Sequence, residues 1–210
     1  MRGRGVSEVD VVGAIYASAL ESAQSGAKEA WGPSLVLIRT HLDCPSLQIF
    51  QEDLRTRRAS FSIMDGLDPS TMKSFYEHYL FLDPNYEAKK SRPVGSVTAS
   101  NFLMPDSDWE NLEWYYDFTR PQGIFYQMGA LLVQSPGLLG GIGIQRPRSA
   151  DPFSASDARR LRRLVPHVRQ FAEGLRHQAR LQAHVAVAHL AIEFGLGHEG
   201  RDRIDASRGN

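Results

Sequence analysis

The first part of the chain alternates between helix-like and strand-like spacing of apolar residues. Residues 7–24 carry apolar side chains at helical spacing, which predicts an amphipathic helix. These side chains are Val9, Val12, Ile15, Tyr16 and Leu20. Residues 34–42 form an apolar, partly β-branched run after a Gly-Pro pair and predict a strand. Residues 47–51 and 59–64 predict two neighbouring strands that pair around a charged turn.

The middle of the chain predicts two helices and a short strand. Asp68 and the Pro-Ser that follow it open a helix, with proline in its favoured first turn, and this helix is expected to end before Asp83. Residues 95–99 predict a short strand. A second helix is expected to begin near Asp106 and to be broken by the RPQG sequence at residues 120–123.

The last part of the chain predicts a hairpin and a long helix. Residues 124–134 and 138–145 predict two strands joined by a Ser-Pro-Gly turn. Ser154 followed by Asp157 resembles a capping box and predicts a long C-terminal helix over residues 154–182. Because hairpins alternate with helices in this order, the pattern predicts an α+β domain built on an antiparallel sheet.

The predicted C-terminal helix has two interpretations. Its apolar side chains between Leu161 and Leu175 lie within an arc of about 120°, and arginines flank that arc. One interpretation is a packing helix with a solvated basic flank. The other is a dimerisation or signalling helix that leaves the domain and drives an effector. The apolar repeat spans under three heptads, which is too short to predict a coiled coil.

Composition narrows the possible functions. The 210 residues include 24 basic and 24 acidic side chains, so net charge provides no overall attraction to nucleic acid. A single cysteine, Cys44, excludes an intramolecular disulfide and a Cys-rich zinc site and favours a reducing compartment. No apolar run reaches the roughly 20 residues that a membrane span needs. We therefore expect a cytoplasmic protein without membrane contact.

Motifs of catalysis and metal binding are missing from the sequence. There is no GxSxG elbow, Walker loop or HExxH pair. His41, Asp43 and Cys44 lie together but have no second group of ligands elsewhere. The glycine-rich run at residues 140–143 lacks a following helix, so we interpret it as close backbone approach or a bulge within a strand. We expect no enzymatic activity, no metal and no cofactor.

Aromatic residues are concentrated in the middle of the chain. Thirteen of the twenty lie between Phe75 and Tyr126. Core packing accounts for many of them, since aromatic side chains bury large areas. The alternative is that they form the wall of a pocket for a flat or amphipathic small molecule, because Tyr and Trp combine an apolar body with a polar tip.

Several short phrases together resemble a known family. The most specific is EWYYDFTRPQG at residues 113–123, preceded by YEHY at 76–79 and followed by IQRP at 144–147 and LVPHV at 164–168. Over about residues 8–182 the chain is similar to the N-terminal sensory region of bacterial LuxR-type helix-turn-helix regulators. This resemblance implies a GAF/PAS-like antiparallel sheet flanked by helices, with a long C-terminal helix. It also implies a domain that binds a small ligand or serves dimerisation.

A narrower resemblance concerns the ligand. Autoinducer-binding domains carry a Tyr-x-x-x-Asp-Pro pattern, and Tyr79 to Pro84 is similar to it. The resemblance implies that Asp83 contacts the amide of a ligand and that Tyr79 contacts its carbonyl, although Asp-Pro after a helix is also a common turn. The candidate ligand-binding residues are Tyr76, Tyr79, Asp83, Trp109, Trp114 and Tyr116.

The resemblance also implies a DNA-binding region after the sensory domain, and no helix-turn-helix pattern fits residues 183–210. We expect residues 1–182 to form the sensory domain, and residues 183–210 to form a helix extension with a disordered tail. One hypothesis is a truncated or standalone sensor that binds an unidentified small molecule, forms a homodimer and makes no DNA contact itself. The other is a ligand-free dimerisation or interaction module that acts on full-length relatives.

Overall fold

The computed structural model describes residues 5–25, 28–56, 58–170, 172–173 and 184–190. Two compact units are distinguished, Met1–Ala172 and Glu173–Asn210. Within the second unit, residues 184–190 are helical. The predicted end of the sensory domain at residue 182, the end of the predicted helix extension and the predicted tail lie outside the described residues.

A five-stranded antiparallel sheet forms the centre of the first unit. Its strands are β1 (Ser46–Asp53), β2 (Arg58–Asp65), β3 (Val97–Ala99), β4 (Tyr126–Ser135) and β5 (Leu138–Arg146). They lie in the order β2-β1-β5-β4-β3, so the two hairpins are joined by pairing of β1 with β5. The strands predicted at residues 47–51, 59–64, 95–99, 124–134 and 138–145, both predicted hairpins and the α+β class are confirmed.

Helices of varied length flank this sheet. The α-helices are α1 (Glu8–Ser25), α2 (Gly32–Leu42), α3 (Met72–Glu77), α4 (Pro84–Lys90), α5 (Ser100–Leu103), α6 (Asp106–Glu110) and α7 (residues 155–170). The 3-10 turns are Lys28–Trp31, Pro69–Thr71, Tyr79–Phe81 and Arg120–Gln122, and Trp114–Thr119 forms a π-helix. The helix predicted from Asp68 to Asp83 is thus interrupted at His78, whose backbone (φ −135°, ψ −56°) leaves the α-helical region.

The strand predicted over residues 34–42 is wrong, because this segment is helix α2. Its buried side chains include Leu35, Ile38 and Leu42, which follow the helical and not the alternating period. Pro33 lies in the first turn, where proline favours a helix, and Asp43 ends the helix in the left-handed conformation (φ 51°). A short apolar run suits a buried strand and a buried helix equally, and packing against α1 decides between them.

One helical layer consists of α1, α2 and α7. The Ser34 hydroxyl of α2 donates to the Ala14 carbonyl of α1. Tyr16 of α1 donates a hydrogen bond of 3.0 Å to the side-chain carbonyl of Gln170 in α7. The guanidinium of Arg146, at the end of β5, donates to backbone carbonyls at the end of α2. This layer and the sheet enclose most of the buried aliphatic residues.

Candidate ligand-binding site

A cavity of about 90 Å³ lies over one face of the sheet. The strand residues on this face alternate with those that point into the main core. Gln48 of β1, Gly143 of β5 and Gly129 of β4 are direct cross-strand neighbours and line this cavity. Two of the three are glycines, which have no side chain, so the space over β4 and β5 stays open. The segment from Leu67 through α3, the start of α4 and the π-helix complete the wall.

At Gly129 and Gly141 any larger residue would collide with the backbone of the neighbouring strand. A Cβ atom on Gly129 would lie 2.6 Å from the Ile142 carbonyl oxygen, and one on Gly141 would lie 2.9 Å from the Ala130 carbonyl oxygen. The register between β4 and β5 also shifts at Leu131, which marks a bulge. The interpretation of the glycine-rich run at residues 140–143 as close backbone approach and a bulge is confirmed.

A connected set of polar side chains forms one part of the wall. The Asp83 carboxylate accepts from both the backbone N–H and the side-chain amide of Asn85, at 2.9 and 3.0 Å. The same Asn85 amide donates to the side-chain carbonyl of Gln127 at 3.1 Å. Asp83 therefore caps the start of α4 and fixes the orientation of two amides that line the cavity.

The π-helix contributes aromatic side chains to the wall. Its i→i+5 hydrogen bonds widen the turn, so residues four and five apart lie over each other. Trp114, Phe118 and Thr119 all line the cavity. The rings of Trp114 and Phe118 have centroids 5.0 Å apart, and Phe75 of α3 stacks on Phe118 at 5.8 Å. The prediction of an α-helix that continues through this segment is wrong, because residues 114–119 form a π-helix.

Trp114 carries a donor that the described part of the protein leaves unused. Its side chain is 4% exposed, and its indole N–H has no hydrogen-bond partner among the described residues. A buried N–H without an acceptor costs free energy of folding.

A buried carboxylate, Glu52 of β1, also lines the cavity. The hydroxyl of Tyr76 interacts with it from outside the wall. Burial, followed by the charge of the nearby Glu52, raises the pKa of Tyr76 well above its usual range. Tyr76 therefore stays a neutral phenol beside the carboxylate.

The six predicted ligand-binding residues do not share one location. Asp83 and Trp114 line the cavity. Tyr76 does not line it but lies near Glu52, which does. Tyr79 stacks on Phe118 with ring centroids 4.7 Å apart and is not one of the residues that line the cavity.

Trp109 and Tyr116 lie outside the cavity wall. Trp109 is buried within α6. Tyr116 is 59% exposed and lies under the guanidinium of Arg120. Ligand contact by any of the six stays a prediction, and the geometry favours Asp83 and Trp114.

Sequence reasoning missed the amide side chains of the wall. Gln48, Gln127 and Gln145 each project from a strand into the cavity, and Asn85 and Gln122 add two more amides. The sequence did contain a signal, because Gln127 and Gln145 each lie two positions from a glycine in an otherwise apolar strand and therefore share that glycine's face of the sheet. Its significance depends on which face is buried, which periodicity alone does not tell.

Among the described residues, no group of three or more His, Cys, Asp or Glu side chains is arranged to hold a metal ion. Within the same part of the chain, no helix combines the length and apolar character needed to cross a membrane.

Comparisons with known proteins identify structural neighbours. No family model matches the sequence, and no curated protein matches it. The N-acylhomoserine lactone-dependent LuxR-family transcription factor CepR2 of Burkholderia cenocepacia superposes with a TM-score of 0.52 at 15% identity, over 86% of this chain and 98% of that one. The LBD domain of VqsR from Pseudomonas aeruginosa gives 0.56 at 11% identity, over 78% and 95%.

SdiA is a third structural neighbour. SdiA in complex with octanoyl-rac-glycerol gives a TM-score of 0.54 at 13% identity, over 81% of this chain and 68% of that one. A second structure of the protein, from Escherichia coli, gives 0.52 at 15% identity, and this chain spans 65% of its length. At these identities the likeness establishes the fold, and the chain has the fold of the ligand-binding domains of LuxR-family regulators.

Proposed function

We propose that this protein is a ligand-sensing regulatory domain that binds a small molecule in the cavity between the sheet and the α3, α4 and π-helix segments. The observation that supports this most directly is the cavity itself, whose wall combines the hydrogen-bonded side chains of Asp83, Asn85 and Gln127 with aromatic rings. Its structural neighbours include a lactone-dependent factor and a complex with octanoyl-rac-glycerol. A cavity with a few fixed polar groups in an apolar lining is typical of a small-molecule site.

The sheet offers a route from the cavity to the helical layer. Gln145 lines the cavity, and its neighbour Arg146 projects to the opposite face, where it contacts the ends of α2 and the start of α7. A ligand that binds one packing of the cavity more tightly than another shifts the population of the α7 arrangement. Regulation therefore acts through the helices that follow the sheet.

Unfolding in the presence of candidate ligands tests this function. We expect a ligand at about 100 times its dissociation constant to raise the free energy of unfolding by about 2.7 kcal/mol. The panel contains N-acylhomoserine lactones of different chain length and octanoylglycerol. Gln127→Met removes a wall amide and is expected to reduce the increase, whereas Gln134→Met, outside the cavity wall on the same strand, is expected to preserve it. An unchanged transition across the whole panel contradicts the proposal.

The second candidate function is a ligand-free dimerisation module, and α1 supports it. Val9 and Leu20 are 81% and 63% exposed, and with half-exposed Tyr16 they lie on the side of α1 opposite its buried residues. Exposed apolar side chains on one helix face suit contact with a second copy of the chain.

Sedimentation velocity distinguishes the two functions. If the chain dimerises through α1, the double change of Val9→Glu and Leu20→Glu yields a monomer, while Phe102→Glu, at an exposed position of α5, does not. A ligand-independent dimer combined with no response to the panel favours the interaction module. A monomer at micromolar concentration rules it out.

The remaining parts of the proposal concern chemistry and location. We propose a non-enzymatic role, because the Asp83 carboxylate is used to cap α4 and to orient Asn85. The equal numbers of acidic and basic residues support a chain that makes no direct DNA contact, and the buried free thiol of Cys44 supports a reducing cytoplasm. Burial raises the pKa of that thiol to about 12, so it stays protonated and unreactive.

A further inference from the structure

The sheet face under the cavity carries three glutamines that lie close together. Gln127 of β4 and Gln145 of β5 are direct cross-strand partners. Gln48 of β1 pairs with Gly143, the residue next to Gln145 on this face. All three glutamines line the cavity and are half-buried, so part of each side chain borders the open space. Each amide has an N–H end that donates and an oxygen end that accepts, and the end that faces the cavity follows from the partner of the other end.

The orientation of the Gln127 amide is fixed by a carboxylate. Because the Asp83 carboxylate accepts hydrogen bonds, the Asn85 side chain turns its N–H donors toward it, at 3.0 Å. The same Asn85 nitrogen donates to Gln127 Oε1 at 3.1 Å. An amide whose oxygen is held in this way directs its nitrogen to the other side. Gln127 Nε2 has no hydrogen-bond partner among the described residues, so its N–H donors remain for a bound molecule.

Gln145 and Gln48 present opposite ends of their amides. The Ser46 hydroxyl donates to Gln145 Oε1 at 2.9 Å, and Gln145 Nε2 lies over Gly143, where a Cβ atom would meet it at 3.4 Å. Gln48 is reversed, because its Nε2 donates to the Ser62 hydroxyl at 3.1 Å. Its Oε1 has no donor within the described part of the chain. The cavity floor therefore presents N–H donors over β4 and β5 and a carbonyl acceptor over β1.

The surfaces on the two sides of the cavity suit a small planar ring. Gly129 and Gly143 leave the flat sheet backbone as the floor, and the stacked rings of Phe75 and Phe118 belong to the facing wall. Aromatic faces favour offset stacking on another planar group. The cavity offers about 90 Å³ to the centres of water-sized atoms. One water molecule needs roughly 10–15 Å³ by the same measure, so roughly six to nine such atoms fit, which is a single ring with few substituents.

We infer that the cavity binds a neutral, planar, single-ring cyclic amide whose carbonyl oxygen accepts from Gln127 and Gln145 and whose ring N–H donates to Gln48 Oε1. A cyclic amide carries its acceptor beside its donor, in the same order as the donors and the acceptor of the floor. An anion is disfavoured, because the described wall includes the carboxyl groups of Glu52 and Asp83 and no basic side chain. This inference rests on the proposed function and specifies its ligand class.

Nuclear magnetic resonance titration of the isotope-labelled complete chain with three related rings tests the ligand class. The first ring, α-pyridone, is a planar cyclic amide, and N-methyl-α-pyridone keeps its ring and carbonyl but lacks the N–H. We expect α-pyridone to bind at least about tenfold more tightly, because the methylated ring leaves the Gln48 oxygen without a donor. The third ring, δ-valerolactam, keeps the amide but is saturated and puckered, so it is expected to bind about threefold to tenfold more weakly than α-pyridone. The side-chain N–H signals of Gln127 and Gln145 are expected to shift on binding.

Glutamine variants test the same hydrogen bonds from the side of the protein. Gln48→Met keeps the length of the side chain but removes its oxygen, and it is expected to weaken α-pyridone binding by about tenfold. Its effect on N-methyl-α-pyridone is expected to stay within about twofold, because the methyl group and the methionine abolish the same hydrogen bond. Gln145→Met removes a donor to the carbonyl and is expected to weaken both rings by about threefold to tenfold. Gln134→Met, outside the cavity wall on β4, is the control and is expected to leave both affinities unchanged.

Each outcome has a defined meaning, and the comparison of the three rings in the unmodified chain decides the inference even if a variant does not fold. Binding of N-methyl-α-pyridone as tight as that of α-pyridone overturns the hydrogen bond to Gln48. Binding of δ-valerolactam as tight as that of α-pyridone overturns the planar ring. Equal effects of Gln145→Met and Gln134→Met overturn the role of Gln145. If none of the rings binds, the inference fails. A member of the lactone and octanoylglycerol panel that still stabilises the chain leaves the proposed function standing, and an unchanged unfolding transition across that panel contradicts it as well.

Discussion

Two glycines of the cavity floor, Gly129 and Gly143, border the same space but are constrained differently. A Cβ on Gly129 would lie 2.6 Å from the carbonyl oxygen of Ile142, which belongs to the sheet backbone. A Cβ on Gly143 would meet only the side-chain amide nitrogen of Gln145 at 3.4 Å, an ordinary contact with a movable group. Glycine at 129 thus serves the fold, and glycine at 143 serves the open volume.

Alanine substitutions separate these two roles. Gly129→Ala is expected to lower the free energy of unfolding by about 1–3 kcal/mol, because the backbone of β5 must move. Gly143→Ala is expected to change it by less than about 1 kcal/mol. Urea unfolding measures both. In ligand titrations Gly143→Ala is expected to weaken binding, because a methyl group enters the cavity. If Gly143→Ala loses as much stability as Gly129→Ala, the separate roles of the two glycines are contradicted.

At the scale of elements, the start of α7 shows how a short local motif defines a helix end. The Ser154 backbone N–H donates to the Asp157 carboxylate at 2.8 Å, and the Asp157 backbone N–H donates to the Ser154 hydroxyl at 3.1 Å. This is the predicted capping box. Burial acts to raise the pKa of Asp157, but the hydrogen bonds from Ser154 and the charge of Arg146 outweigh it, so the pKa lies below its usual range.

The capping box predicts a pH dependence of stability. Because the folded-state pKa of Asp157 is lowered, the contribution of this carboxylate to the free energy of unfolding is complete above about pH 4. It is lost as pH falls through the folded-state pKa. Asp157→Asn is expected to lower the free energy of unfolding by about 1 kcal/mol at pH 7.

Chemical unfolding of the unmodified chain and the Asp157→Asn variant across this range measures the effect. The difference between the two is expected to narrow below about pH 4. Asp151→Asn, at an exposed position in the preceding segment, serves as control and is expected to have little effect. A difference that stays constant down to pH 2 contradicts the assignment.

At the scale of the whole molecule, Arg146 connects the sheet with two helices. Arg146 is 5% exposed, and its guanidinium donates to the carbonyl of Leu42, the last residue of α2, at 3.1 Å and to the next carbonyl, that of Asp43, at 2.8 Å. It also lies 3.5 Å from the Asp157 carboxylate of α7 and 4.3 Å from the centre of the Phe153 ring. The cation therefore has buried partners from separate parts of the chain.

Removal of this charge is expected to destabilise the whole first unit. Arg146→Met leaves buried carbonyls and a carboxylate without their donor, and it is expected to cost about 3–5 kcal/mol in denaturant unfolding. Arg148→Met is the matched control, because Arg148 is exposed and pairs with Glu110 at the surface. Its expected cost is below about 1 kcal/mol. Similar costs for the two variants contradict a connecting role for Arg146.

The sequence by itself determined the features that depend on residues close to one another along the chain. Alternating apolar positions and a Ser-Pro-Gly turn predict the β4–β5 hairpin, and the pairing of β1 with β2 follows from the same kind of pattern. Ser154 and Asp157 predict the start of α7, since a capping box is made within one turn. The order of these elements was enough to predict an α+β fold on an antiparallel sheet.

Only the tertiary structure decided which side chains surround the cavity and how some segments are wound. Residues 34–42 are helical because their apolar side chains pack in a helical layer, and Trp114–Thr119 form a π-helix. Aromatic concentration in the middle of the chain indicated a pocket region, yet it did not separate Trp114, on the wall, from Tyr116, on the surface. Local patterns encode periodicity and turns, whereas burial and a side chain's contacts depend on elements distant in sequence.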